Sequence, residues 1–474
     1  MLFSSFSYIL FFLPIVVLGC IFARKVGGPR AAHVWVLVAS IFFYGYWRPI
    51  NLVYLAASIL VNWLLAQWMV DAEQPRRKRI LQLGLVLNIG YLCTFKYVNF
   101  FLSNVPFLSH SRFHMPELAF PLGISFFTLA QIMYLVDCYE KLLPALNLFD
   151  HSTFVAFFPY VISGPIAKAK RMAHQFGNFG GEPDQRSALI ARGFYVFALG
   201  LFKKVVFADS FAGIANYGFG LSGRRSLFEV WVFSVAYTMQ IYFDFSGYSD
   251  MAMGSAMMLG VEIPRNFDAP LRSKSIIEFW QRWHISLSNF ITTYLYTPII
   301  RSFKKATLRA SAFATLCAMA IAGLWHGPSW TFVAFGVLHG CGLALNQYWR
   351  KTKKPKLPPL LSWFLTFCMV NIAFICFRSR DLHQAAEMTA SLVNLHNVFA
   401  SASLHALIDE AHVTRVAVPL GVGLILAFFG KSSDQLGREF KPSFGNAAAV
   451  AGMVVVCWIF MAFFTTQEFL YFKF

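Results

Sequence analysis

Along this chain long apolar runs alternate with short polar interruptions, and the charged side chains collect in the interruptions. A helix rises ~1.5 Å per residue, so roughly 20 consecutive apolar residues cross the hydrocarbon core of a bilayer. Runs of that order lie at 6–23, 31–48, 51–70, 80–102, 118–136, 188–208, 228–260, 276–300, 311–346, 360–377, 415–430 and 447–464. The longest of them can be bent or doubled, so the pattern predicts an all-α polytopic membrane protein of about a dozen helices. The two longest polar interruptions, 164–187 and 379–414, have room for short surface helices. With no internal repeat, no low-complexity tract and no polar stretch long enough to fold alone, 1–474 reads as a single integral membrane domain.

Composition strengthens this reading. A 474-residue soluble chain would suggest two or three domains, but 57% hydrophobic residues and 53 phenylalanines lie outside the soluble range. The first apolar run has no basic residue before it, and Arg24, Lys25 and Arg30 follow it, so it reads as a retained anchor and not a signal peptide. By the positive-inside rule the 24–30 loop is cytoplasmic, as are the clusters at 76–79, at Arg301 to Arg309, in the 350–356 loop and at Lys431, Arg438 and Lys441. Both termini are then expected on the outer side. A formal charge of +18 raises the question of nucleic acid, but the cations are spread over short inter-span loops. That distribution suits membrane orientation and anionic lipid headgroups, and nucleic acid is not expected as a partner. The eight cysteines are scattered without C-x-x-C spacing and read as small buried hydrophobes, so neither a disulfide framework nor a metal site is expected. The Gly218-x-Gly220-x-x-Gly223 spacing follows an apolar span instead of a strand and reads as a loop.

An ionisable group inside hydrocarbon costs a few kcal/mol (~2.5–3.5) unless it finds a partner or water, so such groups are functional candidates. Three stretches qualify. In "IYFDFSGYSDMAMG" Asp244 and Tyr248 share a helical face, as do Ser246 and Asp250. The two aspartates, six apart, point in different directions and make a poor acid–base pair; hydrogen bonding between helices is the simpler role for each. In "SKSIIEFWQRWHISLSNF" Lys274, Glu278 and Arg282 follow an i, i+4, i+8 spacing, while Ile276, Trp280, Trp283 and Leu287 line another face. That predicts an interfacial helix, with Arg282 and His284 placed to meet an anionic donor arriving from water. In "GLWHGPSW" the Gly327-Pro328 pair should end the incoming helix near Trp325-His326. Broken helices are tolerated inside membranes where they line a cavity, and a neutral imidazole there can accept a proton. His326 can equally be a satisfied packing group. His339 lies thirteen positions on and, about ten residues into the outgoing helix at ~1.5 Å each, falls too far along to form a close dyad with His326.

These stretches also resemble a known family. "FPYVISGPI", "LGLFKKVVFAD", "QIYFDFSGYSDMAMG", "NFDAPLRSKSIIEFWQRWHISLSNF", "GLWHGPSWTFVAFGVLHG" and the closing "FLYFKF" are similar, in order and over nearly the full length, to the membrane-bound O-acyltransferase superfamily and its alginate O-acetyltransferase membrane-subunit branch. The resemblance implies a ring of tilted helices with a central tunnel, a catalytic histidine at His326, acting either as general base on the accepting hydroxyl or as a transient carrier of the acyl group, an accessory one at His284 and a second histidine of the block at His339. Eukaryotic members carry asparagine at the position of Arg282, so no role of that asparagine transfers to this chain. It further implies an acetyltransferase of a bacterial inner membrane, acetyl-CoA as the donor on the cytoplasmic side, and an exopolysaccharide of alginate or cellulose type as the end acceptor. An exported SGNH-type acetyltransferase and other exopolysaccharide-complex subunits would be its partners. A histidine-led mechanism agrees with the absence of a G-x-S-x-G nucleophile elbow. Two other classes remain open on the sequence. A transporter or flippase for a polysaccharide precursor usually shows repeated halves with matching broken helices, and only one conspicuous break, at Gly327-Pro328, is present. A pure scaffold predicts that His326 is dispensable.

Overall fold

The computed structural model describes residues 1–104, 121–221, 225–352, 355, 357–398, 413–464 and 467–470. The regular structure of these residues is helical throughout, which is the all-α class that the apolar runs predict. Two compact units are formed, one by Met1–Phe197, Ser249–Arg265 and Phe440–Ser443, the other by Ala198–Tyr248, Asn266–Glu439 and Phe444–Phe474.

The first unit opens with a helical hairpin. Helical backbone runs from Ser7 to Gly45 but is interrupted at Gly28, whose φ of 72° no other residue adopts cheaply, and Pro29 then removes a backbone donor. The two arms pack against each other: the Trp35 indole N–H donates to the Val16 carbonyl at 2.9 Å, and its ring lies where a Cβ on Gly19 would sit. The predicted spans 6–23 and 31–48 are these two arms, with Arg24, Lys25 and Arg30 at the bend. Arg24 donates to the carbonyls of Gly177 and Phe179, both at 2.8 Å, and pairs with Glu182. Helices Ile50–Val70 and Arg76–Lys96 follow, joined through a buried amide pair in which Asn88 Nδ2 donates to Asn62 Oδ1 at 2.6 Å. The expected span at 80–102 is bent: the chain turns by 71° into Val98–Asn104. Helix Ile124–Tyr139 takes up most of the 118–136 run, whose first three residues lie outside the described ones.

In the second unit Pro183–Phe202, which begins in the first, continues through a π-helical turn at Lys203–Ala208 into Asp209–Gly220. Gly218 and Gly220 therefore belong to the last turn of a helix and not to a loop; Gly223 lies outside the described residues. The physical reason is packing: a Cβ on Gly218 would fall 2.0 Å from the Phe233 ring, so only glycine lets the two helices meet there. Leu227–Met258 is one long helix that contributes to both units. The run 311–346 is doubled, as Leu308–His326 and Trp330–Lys351. Pro359–Arg378 follows; Val416–Phe429 turns by 77° into Ser433–Glu439, and Phe444–Phe463 closes the series.

The run 276–300 departs most from expectation. It splits into Ile276–Arg282, Ile285–Phe290, a π-helical turn at Ile291–Tyr296 and Thr297–Arg301. Lys274 lies ahead of the Ser275 cap, Leu287 belongs to the next helix, and Trp280 and Trp283 are only 5% and 3% exposed. A continuous interfacial helix with its tryptophans at the headgroups is thereby corrected to a corner buried in the core. Cys341 is another correction, because it is exposed, whereas Cys20, Cys138, Cys376 and Cys457 are buried as expected.

Among the described residues five helices are by themselves long and apolar enough to cross a bilayer, and seven if each bent pair is one span. The hairpin at Ser7–Gly45 counts as one of these, and others of the expected dozen are shortened by breaks. The exposed side chains include many large apolar ones, such as Leu360, Phe429, Phe444 and Phe463, each at least 75% exposed, which in water would be an aggregation hazard and in lipid is ordinary. The protein is a multi-pass membrane protein.

Candidate functional site

The incoming helix ends at His326, as the Gly-Pro pair predicts. Gly327 is extended, its N–H donates to the Leu324 carbonyl at 3.1 Å, and Ser329 starts the outgoing helix by accepting the Thr331 N–H at 3.2 Å. The arms of this hairpin touch backbone to backbone. A Cβ on Gly323 would lie 2.3 Å from the Phe332 carbonyl oxygen, and one on Gly336 would lie 2.2 Å from that of Met319. Gly323→Ala should therefore push the arms apart three residues before His326. Overpacking of this kind costs ~1–3 kcal/mol, and the expected result is a lower melting temperature of the detergent-purified protein with impaired activity. An unchanged melting temperature would show that the hairpin is looser than described.

His326 is 5% exposed and sits in a box of rings, with centroids at 5.0 Å to Trp325, 5.1 Å to Phe377 and 5.9 Å to Phe335. On the other side of Phe335, at 4.7 Å, lies His339. The two histidines thus share a phenylalanine. His339 is fully buried, stacked on Phe279, and its Nδ1 accepts the Trp280 indole N–H at 3.2 Å. That bond places the hydrogen of a neutral His339 on Nε2.

His284 occupies the corner that breaks the 276–300 run. It adopts the left-handed backbone region, φ 42° and ψ 53°, uncommon for a residue with a side chain and worth ~1–3 kcal/mol of strain. The corner is held by Asn266, the first residue of "NFDAP": its carbonyl accepts the Ile285 N–H at 3.0 Å, and its Oδ1 accepts the Ser286 N–H at 3.2 Å and the Ser286 hydroxyl at 2.6 Å. Phe267, next to it, packs edge-on against Trp283 at 5.0 Å. His284 is 1% exposed and presents its ring edge-on to Phe245 at 4.6 Å. Phe279 stacks on both Trp283, at 5.5 Å, and His339, at 5.9 Å, which links the corner to the hairpin through rings.

Arg282 is one third exposed and already engaged, paired with Glu278 at 3.0 Å and donating to the Asp268 carbonyl at 3.2 Å. Asp244 and Tyr248 are buried on Leu227–Met258, Tyr248 stacked on Phe469 at 4.2 Å. Asp250 is also buried, and the unbroken helix keeps it on a different face from Asp244. Asp244 is an ion-pair partner of Lys204, at 2.9 Å, and Lys204 also bonds Asp209 at 2.7 Å. Reading the sequence singled out neither Lys204 nor Asp209. They are five apart, a spacing that opposes side chains on an α-helix but aligns them on the wider π-helical turn at Lys203–Ala208. The signal was available as a lysine inside the apolar "LGLFKKVVFAD".

Between Ile276–Arg282, the π-helical turn at Ile291–Tyr296 and the hairpin of Leu308–His326 and Trp330–Lys351 lies a cavity of about 270 Å³ that Trp280, Gln281, Thr292, Tyr296, Thr315 and Gln347 help to line. One wall is a hydrogen-bonded chain: Tyr296 hydroxyl with Ser311 Oγ at 2.9 Å, Ser311 to Gln347 Oε1 at 3.0 Å, and Gln347 to Thr315 Oγ1 at 3.4 Å. Because Trp280 both lines this cavity and holds His339, a small polar group entering it comes within one side chain of that histidine.

The arrangement can do acid–base work in a dry surround: an imidazole at a helix break, its neighbours aromatic, with polar walls close by. Residues 70–379 match the model of the membrane-bound O-acyltransferase family. The chain is 33% identical to the peptidoglycan O-acetyltransferase of Helicobacter pylori, covering 100% of this chain and 98% of that protein. It is 35% identical to the probable alginate O-acetylase AlgI of Pseudomonas aeruginosa, over 91% of this chain and 81% of that one. A more distant relative is the teichoic acid D-alanyltransferase of Bacillus subtilis, 27% identical over 60% of this chain and 75% of that protein. The relatives are acyltransferases and not transporters, and the chain belongs to the membrane-bound O-acyltransferase family.

Proposed function

We propose that the protein is an O-acetyltransferase of the bacterial inner membrane that takes acetyl from cytoplasmic acetyl-CoA and passes it outward for O-acetylation of an exported glycan. The observation that carries this reading is His326 at the Gly327-Pro328 break, buried in an aromatic box beside a hairpin whose arms meet at glycine. In the proposed step His326 takes the proton of an acceptor hydroxyl, the oxygen forms an ester bond to the acetyl carbonyl, the carbon–sulfur bond breaks, and the departing thiolate receives the proton. His284 and His339 flank the reaction as accessory groups, and the hydrogen on His339 Nε2 suits a developing oxyanion. Coenzyme A carries several negative charges and does not cross hydrocarbon, so the acetyl group alone passes through, and the basic loops at 24–30, 76–79 and 301–309 attract the donor on the cytoplasmic side. The relatives are named for O-acetylation of peptidoglycan and of alginate, and a glycan hydroxyl is the acceptor that this reading assigns to the present chain. An exported SGNH-type partner, with other exopolysaccharide-complex subunits, completes the transfer onto the polymer.

The test is vectorial. The purified protein is sealed into liposomes of known orientation, radiolabelled acetyl-CoA is supplied on the basic-loop side only, and label is followed to an acceptor on the other side. Label crossing without coenzyme A crossing is the expected result. Transfer that requires donor and acceptor in one compartment would refute the relay, and full polymer acetylation with no partner would refute the division of labour.

A further inference from the structure

Residues 467–470, the described part of the closing "FLYFKF" stretch and its lead-in, are held by the buried charges of Lys204 and Asp244. Lys204 donates to the Gln467 carbonyl at 2.8 Å, and Asp244 Oδ2 accepts the Leu470 N–H at 2.8 Å. The anchors are themselves fixed, because Lys204 bridges Asp209 and Asp244 and all three side chains are at most 7% exposed. Gly247 makes this approach feasible: a Cβ there would lie 2.7 Å from the Gly200 carbonyl oxygen and 3.0 Å from the Lys204 nitrogen. Between the two anchored backbone groups Phe469 projects onto Leu227–Met258. Its ring stacks on Tyr248 at 4.2 Å with 12° between planes and packs against Phe245 at 6.0 Å. Phe245 in turn meets the His284 ring edge-on at 4.6 Å and 89°, with Phe267 at 5.1 Å on its other flank.

Buried ion pairs are expensive, and well-packed apolar residues would stabilise a core as well or better, so a charge cluster spent on gripping four residues of backbone asks for a purpose. His284 supplies one. Its imidazole is seated edge-on against Phe245, so that ring is a wall the strap and the histidine share. We propose that the segment Gln467–Leu470 is a strap that positions His284. Lys204 and Asp244 fix its backbone, Phe469 braces Phe245, and Phe245 sets the angle at which the imidazole meets the reacting groups. Phe469 and Phe245 are positioning residues on this account, and the inference rests on the reading of His284 as an accessory group of acetyl transfer.

The experiment compares full-length Phe469→Ala and Phe469→Tyr with wild type, each first shown to be monodisperse in detergent. Two quantities are read: kcat and KM for acetyl transfer, and the rate at which each imidazole C2 hydrogen exchanges with deuterium, resolved residue by residue by mass spectrometry. Phe469→Ala should speed exchange at His284 several-fold and lower kcat about tenfold or more with KM nearly unchanged, since a misplaced group costs the chemical step more than binding. Exchange at His151, buried in the other unit against Gln131, should not move. Phe469→Tyr keeps the ring and should match wild type in both measurements. Unaltered exchange at His284 in Phe469→Ala would overturn the strap whatever happens to kcat. Faster exchange at His284 with wild-type kcat would instead overturn the role of His284 in the reaction, and the positioning role with it.

Discussion

His326→Ala and His326→Gln should both lose acetyl transfer by ~10²–10⁴-fold, the range that a general base contributes, while inserting and folding nearly as the wild type does. Glutamine keeps much of the side-chain volume within the ring box of Trp325, Phe335 and Phe377, so it removes the basic nitrogen with little loss of packing. Alanine removes both. If the two variants fall together, the proton-accepting nitrogen is what matters; if only alanine falls, His326 is a packing group and the chemistry lies elsewhere. The assay is acetyl transfer in proteoliposomes, normalised to protein recovered as a monodisperse peak. His284→Ala should impair transfer less completely, as the accessory role proposed for it requires. Retention of an appreciable fraction of wild-type activity by His326→Gln would sink the general-base reading.

The second large effect is on stability. The cluster of Lys204, Asp209 and Asp244 has one cation and two carboxylates, nearly all buried. Breaking a buried pair by removing one partner costs ~3–5 kcal/mol, mostly because the remaining charge is left uncompensated. The order of the variants follows from counting charge. Lys204→Met leaves two carboxylates facing each other and frees the Gln467 carbonyl, and it should be the most damaging. Asp244→Asn leaves Lys204 with Asp209, and its amide oxygen still accepts from Leu470, so it should cost less. Asp209→Asn leaves the Lys204–Asp244 pair, electrically neutral and still gripping both ends of the 467–470 segment, and should be the mildest. Melting temperatures of the three purified variants check the ranking, and equal melting temperatures would mean that the cluster is not the anchor described.

The sequence by itself determined what depends on local covalent geometry and on the solvent. Runs of apolar residues long enough to cross hydrocarbon must be helical there, because lipid offers no partner to backbone N–H and C=O groups. Gly327-Pro328 had to end a helix, because proline lacks a donor and disfavours helix at the residue before it. The placing of His326 at an interrupted helix was therefore legible from eight residues. The corner at His284 was not. The i, i+4, i+8 spacing of Lys274, Glu278 and Arg282 argues for a continuous helix, and what stops it is Asn266, eighteen positions before, whose carbonyl and side chain take the backbone and hydroxyl donors of Ile285 and Ser286. Likewise Lys204 meets Asp209 only because a π-helical turn adds width, and meets Asp244 only because Gly247 lets two helices close to backbone contact. Periodicity reports which residues share a face of an ideal helix. It is silent where a distant polar side chain outcompetes the helix for hydrogen bonds, or where an extra residue in a turn rotates the faces, and in this protein those are the places where His284 and the buried charges are positioned.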